Sequence, residues 1–462
     1  MIPGLPLLLV LCVCSSPTAY GKAAGSSLKS NAICSGHRVS IPLSNHTWLP
    51  LNHRHGPCSP FSPETIATTA AADMLRHDQH RADNIRKRLN GTAAAKHGAD
   101  VSIPTTLGSS LNTLEYVVTV GLGTPAITQT VHIDTGSDIT WVQCRPCPAA
   151  TCHPQKDKLF NPAMSATYFA FDCRSAACRS LRRDLYNNGC SRHRRHCQYI
   201  VKYGDGSNTT GTYSSDKLTL ISNHAVVDHF QFGCSHVTQL FTGDKADGLM
   251  GLGGGLPSLV SQMKTKAFSY CLPPAASYSG FLTLGVPPQL PRMSSTNKFA
   301  MAPMYRSDVV DTFYLVRLQG IAVAGRRLHV ASSAFTAGAV MDSGTVITRL
   351  PETAYRALRA AFRKEMRMYK RVSSSTILDT CFNFSAAAGG EDDVKVPSVE
   401  LVFERGATLE LDRSGIILDG CLAFASTGDD ESAGIIGNVQ QRTLEVMYDV
   451  GGGAVGFRLG AC

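Results

Sequence analysis

Two tripeptides carry the chemistry this sequence could do: Asp134-Thr135-Gly136 and, far downstream, Asp342-Ser343-Gly344. At average composition Asp-[Thr/Ser]-Gly is expected about 0.2 times in a chain of this length, and each copy here follows a β-type apolar run. One copy alone could be an Asx-turn, its aspartate capping the local backbone ahead of a glycine. Two copies in matching settings point to carboxylates brought face to face. Such a pair does not readily ionise twice, so it shares one proton, with one apparent pKa low and the other raised. The ionised partner can take a proton from a water between them while the protonated partner hydrogen-bonds the carbonyl under attack. That is acid–base hydrolysis without a metal or a covalent intermediate, and an amide is its natural target. Ser137 and Thr345 each stand three residues after their aspartate. Either hydroxyl could bond the outer carboxylate oxygen or only satisfy its own loop.

The elements that must position these residues also repeat. Tyr116-Val-Val-Thr-Val120 reads as a strand, Gly121-Leu-Gly-Thr-Pro125 as a turn, and Val131-His-Ile-Asp134 as a strand running into the loop. A weaker copy has Tyr314-Leu-Val-Arg-Leu318, a glycine-containing stretch and Ala339-Val-Met-Asp342. Each copy carries an apolar pair before glycine, Leu249-Met250-Gly251 and Ile435-Ile436-Gly437. Two homologous lobes related by a pseudo-two-fold explain this most economically.

Composition agrees. The 462 residues include 41 Gly and 23 Pro, are 43% apolar and only 17% charged, which excludes disorder and coiled coil and favours strands and turns. Leu5–Cys14 is an apolar run too short to span a bilayer, and Ala19-Tyr20-Gly21 offers a small-x-small cleavage signal, so a secretory signal is expected. The absence of acids before Glu64 keeps a transit peptide open. No later run is long enough for a membrane span. Ala71–Leu89 has the pattern of an amphipathic basic helix, with a sparse apolar face of Met74, Leu75, Ile85 and Leu89.

Sixteen cysteines are present, twelve of them from Cys144 onward, and four sequons fit a secretory route. Cys144-Arg-Pro-Cys147 reads as disulfide material rather than half a zinc site, since no partner with zinc-ligand spacing follows. No metal or cofactor is expected. Residues 174–195 hold seven arginines and one acid, Asp184. Without interleaved aromatics or a recognition helix this reads as a solvated loop, and nucleic-acid binding is not expected.

These residues resemble the pepsin-like aspartic proteases, most closely the plant nepenthesin-like branch. The match runs from about residue 113 to the end. It rests on Asp134-Thr-Gly-Ser-Asp138 followed by Trp141, Tyr203-Gly-Asp-Gly-Ser207, Asp247-Gly-Leu-Met-Gly-Leu-Gly253, Asp342-Ser-Gly-Thr345, Ile435-Ile-Gly-Asn438 and Val455-Gly-Phe457. The resemblance implies an all-β bilobal fold with a few short helices and a catalytic pair, Asp134 and Asp342. Thr135, Gly136, Ser137, Ser343, Gly344 and Thr345 would support that pair. Tyr203, Gly204 and Asp205 would lie on a flap over the substrate, backed by Trp141, although Tyr203 could equally be an ordinary strand residue. The family also implies the bridges Cys144–Cys147, Cys152–Cys234, Cys173–Cys197, Cys178–Cys190, Cys271–Cys462 and Cys381–Cys421.

The resulting expectation is an endopeptidase made as a zymogen. Residues 1–21 are read as signal peptide, 22–105 as propeptide, 106–300 as an N-terminal lobe with a cysteine-rich insertion at 144–197, and 301–462 as a C-terminal lobe. It would act as a monomer on proteins or peptides, be blocked by pepstatin-like inhibitors, and reside in the apoplast or vacuole, with the chloroplast as a minor alternative. Two other readings share the fold: a lapsed member that only binds, and a plastid nucleoid-associated DNA-binding protease. His132, in the strand before the first aspartate, is read as a satisfied histidine facing outward rather than as one that tunes the dyad.

Overall fold

The computed structural model describes residues 40–42, 47–54, 56, 59–61, 71–90 and 116–461, except 184–185, 192–194, 204–205, 221–224, 242–243, 274–277, 286–298, 375 and 386–393. The expected signal segment lies outside the described residues.

Strands β1 (Thr47–His53), β2 (Tyr116–Leu122), β3 (Ile127–Asp134) and β4 (Trp141–Gln143) begin the sheet that holds the first aspartate. β2 and β3 form an antiparallel hairpin in which Val117 faces His132 and Leu122 faces Ile127. Gly123, at φ +88°, supplies the left-handed turn residue between them. The end of β3 then pairs in parallel with Gly248–Gly251, Asp134 opposite Gly251, and that strand's other side pairs antiparallel with β4. β4 in turn runs parallel to Ala225–Gln239.

The second half repeats this plan. Ala339–Met341 lies parallel to Gly434–Ile436, with Val340 opposite Ile435. The latter is antiparallel to Thr348–Leu350, which runs parallel to Phe424–Ser426. The two apolar pairs before glycine are thus the wedge strands of two equivalent units. Buried on both faces, they read as continuous apolar runs rather than alternating ones.

An antiparallel sheet joins the halves, in the order Ala300–Pro303, Ala454–Arg458, Glu445–Asp449, Ala267–Cys271, Ser279–Leu284, β1. Phe268 and Tyr448 stack at 4.4 Å across it. β1, from the front segment, lies within the sheet, between Ser279–Leu284 and β2.

Helix α1 spans Ala71–Leu89, as its periodicity predicts. It has too few apolar residues for a core of its own and lends them to its surroundings. Leu75 packs in the cluster of Val346, Ile347, Leu378 and Val439, while Ala82 and Ile85 pack with Phe313, Val340 and Ile435. Most of these partners flank the second Asp-Ser-Gly loop, so the helix rests on the wall of the cleft between the lobes.

The disulfides correct the expected pattern. Among the described residues the bridges are Cys144–Cys234, Cys147–Cys152, Cys173–Cys190 and Cys178–Cys197 in place of the four expected between these cysteines, while Cys381–Cys421 is paired as expected. The reason is topological. The parallel pairing of β4 with Ala225–Gln239 sets Val142 beside Cys234 and brings Cys144 within 5.3 Å of it, Cα to Cα. Cys147 is left to its neighbour in the loop. In the insertion, helix Ala176–Arg183 turns Cys178 inward to the buried Cys197, and the outer Cys173 meets the exposed Cys190. Cys271 is disulfide-bonded, and the expected partner Cys462 lies outside the described residues.

Candidate active site

Asp134 ends β3 and Asp342 follows Ala339–Met341, each at the mouth of a loop whose wedge strand holds it. Leu252 N–H donates to the Asp134 carbonyl, and Asp342 N–H donates to the Ile436 carbonyl. The two loops are cross-bolted. Thr135 N–H donates to Ser343 Oγ at 3.1 Å, and Ser343 N–H donates to Thr135 Oγ1 at 2.9 Å. Asn438 Nδ2 adds a bond to the Ser343 carbonyl. Each side chain fixes the other lobe's backbone, so the carboxylates cannot drift apart independently.

Both carboxylates are fully buried and held alike. Asp134 accepts from Gly136 N–H at 2.9 Å and from Ser137 Oγ. Asp342 accepts from Gly344 N–H at 3.2 Å and from Thr345 Oγ1. The two hydroxyls therefore bond the outer carboxylate oxygens rather than merely closing their loops. Glycine is required at 136 and 344: an added Cβ would stand 2.8 Å from Asp342 Oδ1 and 2.7 Å from Asp134 Oδ1 respectively.

A residue the sequence did not single out lies between them. Arg81 of α1 donates from Nη2 to Asp134 Oδ1 (2.6 Å) and to Asp342 Oδ1 (2.8 Å), and from Nε to Asp342 Oδ2 (2.7 Å). One nitrogen touches both inner oxygens, which are no farther apart than those two bonds laid end to end. Burial works against both charges. At Asp134 it prevails, and the carboxyl lies above its usual range. At Asp342 it is outweighed by the Arg81 guanidinium and by the Thr345 and Gly344 hydrogen bonds, so that carboxyl lies below. The pair titrates as a unit with its two apparent values driven apart.

Around the dyad, Tyr203 stands at the tip of the hairpin joining Cys197–Lys202 and Asn208–Leu220, and not within a strand. Its hydroxyl accepts the Trp141 Nε1–H at 2.7 Å, and Phe241 packs against both rings. Gly204 and Asp205 lie outside the described residues. Asp138, the last residue of the first motif, accepts from Gly255 N–H, Thr312 Oγ1 and Tyr186 Oη and ties the loop to both halves. His132 does not face outward. It is fully buried, and its Nε2 lies 3.0 Å from Asp244, because β3 is flanked by strands on both sides and covered on both faces.

Further along α1, Asp78 meets Arg349 at 2.7 Å, and Arg88 donates to Thr312 Oγ1 at 2.8 Å. The signal for Asp78 and Arg81 was present. They stand one turn apart on the same side as Leu75, Ala82 and Ile85, where a docked amphipathic helix should be apolar.

Comparison with known proteins fits this geometry. The family models described as xylanase inhibitor N-terminal and xylanase inhibitor C-terminal match residues 116–286 and 313–459. An aspartyl protease family protein of Arabidopsis thaliana is 40% identical, covering 99% of this chain and 98% of its own. Aspartic proteinase nepenthesin-2 of Nepenthes gracilis is 32% identical, over 83% of this chain and 85% of its own. Among solved structures, basic 7S globulin from soybean aligns with a TM-score of 0.59 at 19% identity, covering 76% of this chain and 92% of that one, a likeness of fold. With the duplicated lobes and the paired Asp loops, these relatives establish that the chain belongs to the plant pepsin-like aspartic proteases, the family that includes the nepenthesins.

Proposed function

We propose that the chain is the zymogen of an aspartic endopeptidase whose dyad is Asp134 and Asp342. The observation that carries this reading is the single Arg81 nitrogen held between two inner carboxylate oxygens, a place a water would take once Arg81 withdraws. From there the ionised carboxylate accepts a proton from the water, and the water oxygen bonds to the peptide carbonyl carbon. The protonated carboxyl meanwhile donates to the carbonyl oxygen. Collapse of the tetrahedral species breaks the C–N bond, with a proton passed to the leaving nitrogen. Tyr203, held by Trp141, would cover the substrate from the flap. A protein that only binds needs neither carboxylate, whereas here both keep hydroxyl and backbone donors.

Residues 22–105 serve in this reading as a removable propeptide, with α1 as the plug. The Arg81 lock requires Asp342 to be ionised. Its pKa lies below the ordinary 3.8, so the lock is at full strength above about pH 4 and weakens as pH falls through the lowered value. A secretory or vacuolar destination fits the five disulfides among the described residues. Incubating the purified full chain at pH 3 should yield a shortened form that cuts a denatured protein and is blocked by pepstatin. Asp134→Asn and Asp342→Asn should each abolish the cutting, and persistence of cleavage in either would refute the mechanism.

A further inference from the structure

Asp78 makes contacts that covering the dyad does not require. Its fully buried carboxylate lies 2.7 Å from Arg349 Nη1 and accepts the backbone N–H groups of Val346 (2.5 Å) and Ile347 (3.4 Å). Three donors from the stretch immediately after the Asp342 loop converge on one anion, and only the anion comes from α1. Arg349 is 2% exposed. Its other acceptors are the Ile347 carbonyl at 2.8 Å and Gln79 Oε1 at 3.4 Å, the latter again from α1, and its Nε has no partner among the described residues. Removing α1 leaves a guanidinium held against its own strand by one backbone carbonyl, beside two vacated N–H groups. Charge-assisted bonding of this kind favours the next carboxylate that fits.

We propose that Arg349, with the N–H groups of Val346 and Ile347, forms a carboxylate-binding subsite that selects peptides bearing an aspartate or glutamate side chain near the bond cut, and that Asp78 occupies it as a built-in substrate mimic. The proposal rests on the endopeptidase reading above. Its register follows from geometry. Asp78 precedes Arg81, which sits on the dyad, by three helical residues, a rise of about 4.5 Å. An extended peptide rises about 3.3 Å per residue. The acidic side chain therefore belongs within about two residues of the scissile bond. A site built to bond a carboxylate rejects the isosteric amide strongly, because its donors are left unpaired.

The test uses the chain freed of α1, by acid or by an added endopeptidase, and C-terminally amidated peptides in which Asp or Asn is walked through each position around one cleavable bond. One position within two residues of that bond should favour Asp over Asn by at least about tenfold in kcat/KM. The preference should fade as pH drops below about 4, where the substrate carboxyl protonates. In Arg349→Gln it should shrink below about twofold while neutral peptides are still cut. Because that change leaves Asp78 buried without its cation, the paired Asp78→Asn/Arg349→Gln chain is made alongside and should behave identically. A preference that survives loss of Arg349, or no preference at any position, overturns the subsite.

Binding of a synthetic 71–89 peptide separates this from failure of the protease reading. Its Asp78→Asn version should bind the freed chain at least about tenfold more weakly, and both should bind Arg349→Gln alike. If that discrimination holds while no peptide is cut, the protease reading falls and the carboxylate site stands. If the two peptides bind the unmutated chain equally, the site falls whether or not the enzyme is active.

Discussion

At the scale of single residues, the state of the site turns on Arg81. Its charge lowers the pKa of both carboxyls, and its removal should raise both. On the proposed zymogen reading, the Arg81→Gln chain should lose the part of the lock that depends on ionised Asp342, so half-maximal conversion to the shortened form should move up by about one pH unit. Intact mass after incubation across pH 3 to 7 checks this, and an unchanged profile would remove Arg81 from the lock. His132 answers to a different energy. Its buried contact with Asp244, together with the Arg54 charge, overcomes the burial cost and holds that carboxyl below its usual range. The associated stability is present above about pH 4 and lost as pH falls through the lowered pKa. His132→Leu strands a buried carboxylate and should cost about 3 kcal/mol at pH 6.5 in urea unfolding. A loss under about 0.5 kcal/mol would show that Asp244 is satisfied without it. The aspartates and hydroxyls of the dyad were legible because their types and spacing repeat. Arg81 was legible only as a charge on the helix face that should be apolar, a signal that does not say what it reaches across the chain to meet.

Among the elements, the hairpin bearing Tyr203 lies close enough to the dyad for the Asp134 charge to act on the Tyr203 hydroxyl, while α1 meets the dyad through Arg81. The hairpin is steadied through one polar bond from Trp141 to Tyr203, in an otherwise aromatic contact. Trp141→Phe keeps most of the packing and removes that bond, worth about 1 kcal/mol. A fall of about fivefold in kcat/KM is expected at a temperature where the variant is still fully folded, beside a stability loss of about 1 to 2 kcal/mol from the lost bond and the gap left in a buried cluster. Unchanged kcat/KM under those conditions would mark the contact as structural support alone. Strand boundaries near the aspartates were readable from apolar runs ending in glycine loops. The disulfide pairing was not, because it depends on which strands lie parallel: the β4 register with Ala225–Gln239 decides the partner of Cys144, a contact between residues 90 apart in sequence. His132 was misread for a similar reason. Alternation along a strand predicts an outward face only when one face is open, and both faces of β3 are covered.

For the whole molecule, the duplicated plan does two jobs. It supplies one carboxylate from each half, and it creates a cleft whose wall, on the side of the second loop, accepts a helix from the front of the same chain. The net charge of +9 divides accordingly. The front hundred residues carry +5 and the 174–195 loop +6, so the remaining body of the chain carries about −2. A basic helix on such a body is favoured at neutral pH and loses its hold as carboxylates protonate. On the proposed reading, one cation from this helix keeps two aspartates from acting. Acidifying the purified full chain and following its mass beside pepstatin-sensitive cleavage of a denatured protein reads this out. Shortening and cleavage should appear together at low pH, and both aspartate-to-asparagine variants should lack them. Cleavage by the full-length chain at neutral pH with α1 in place, or by either variant once α1 is removed, would show that Arg81 does not hold the pair idle.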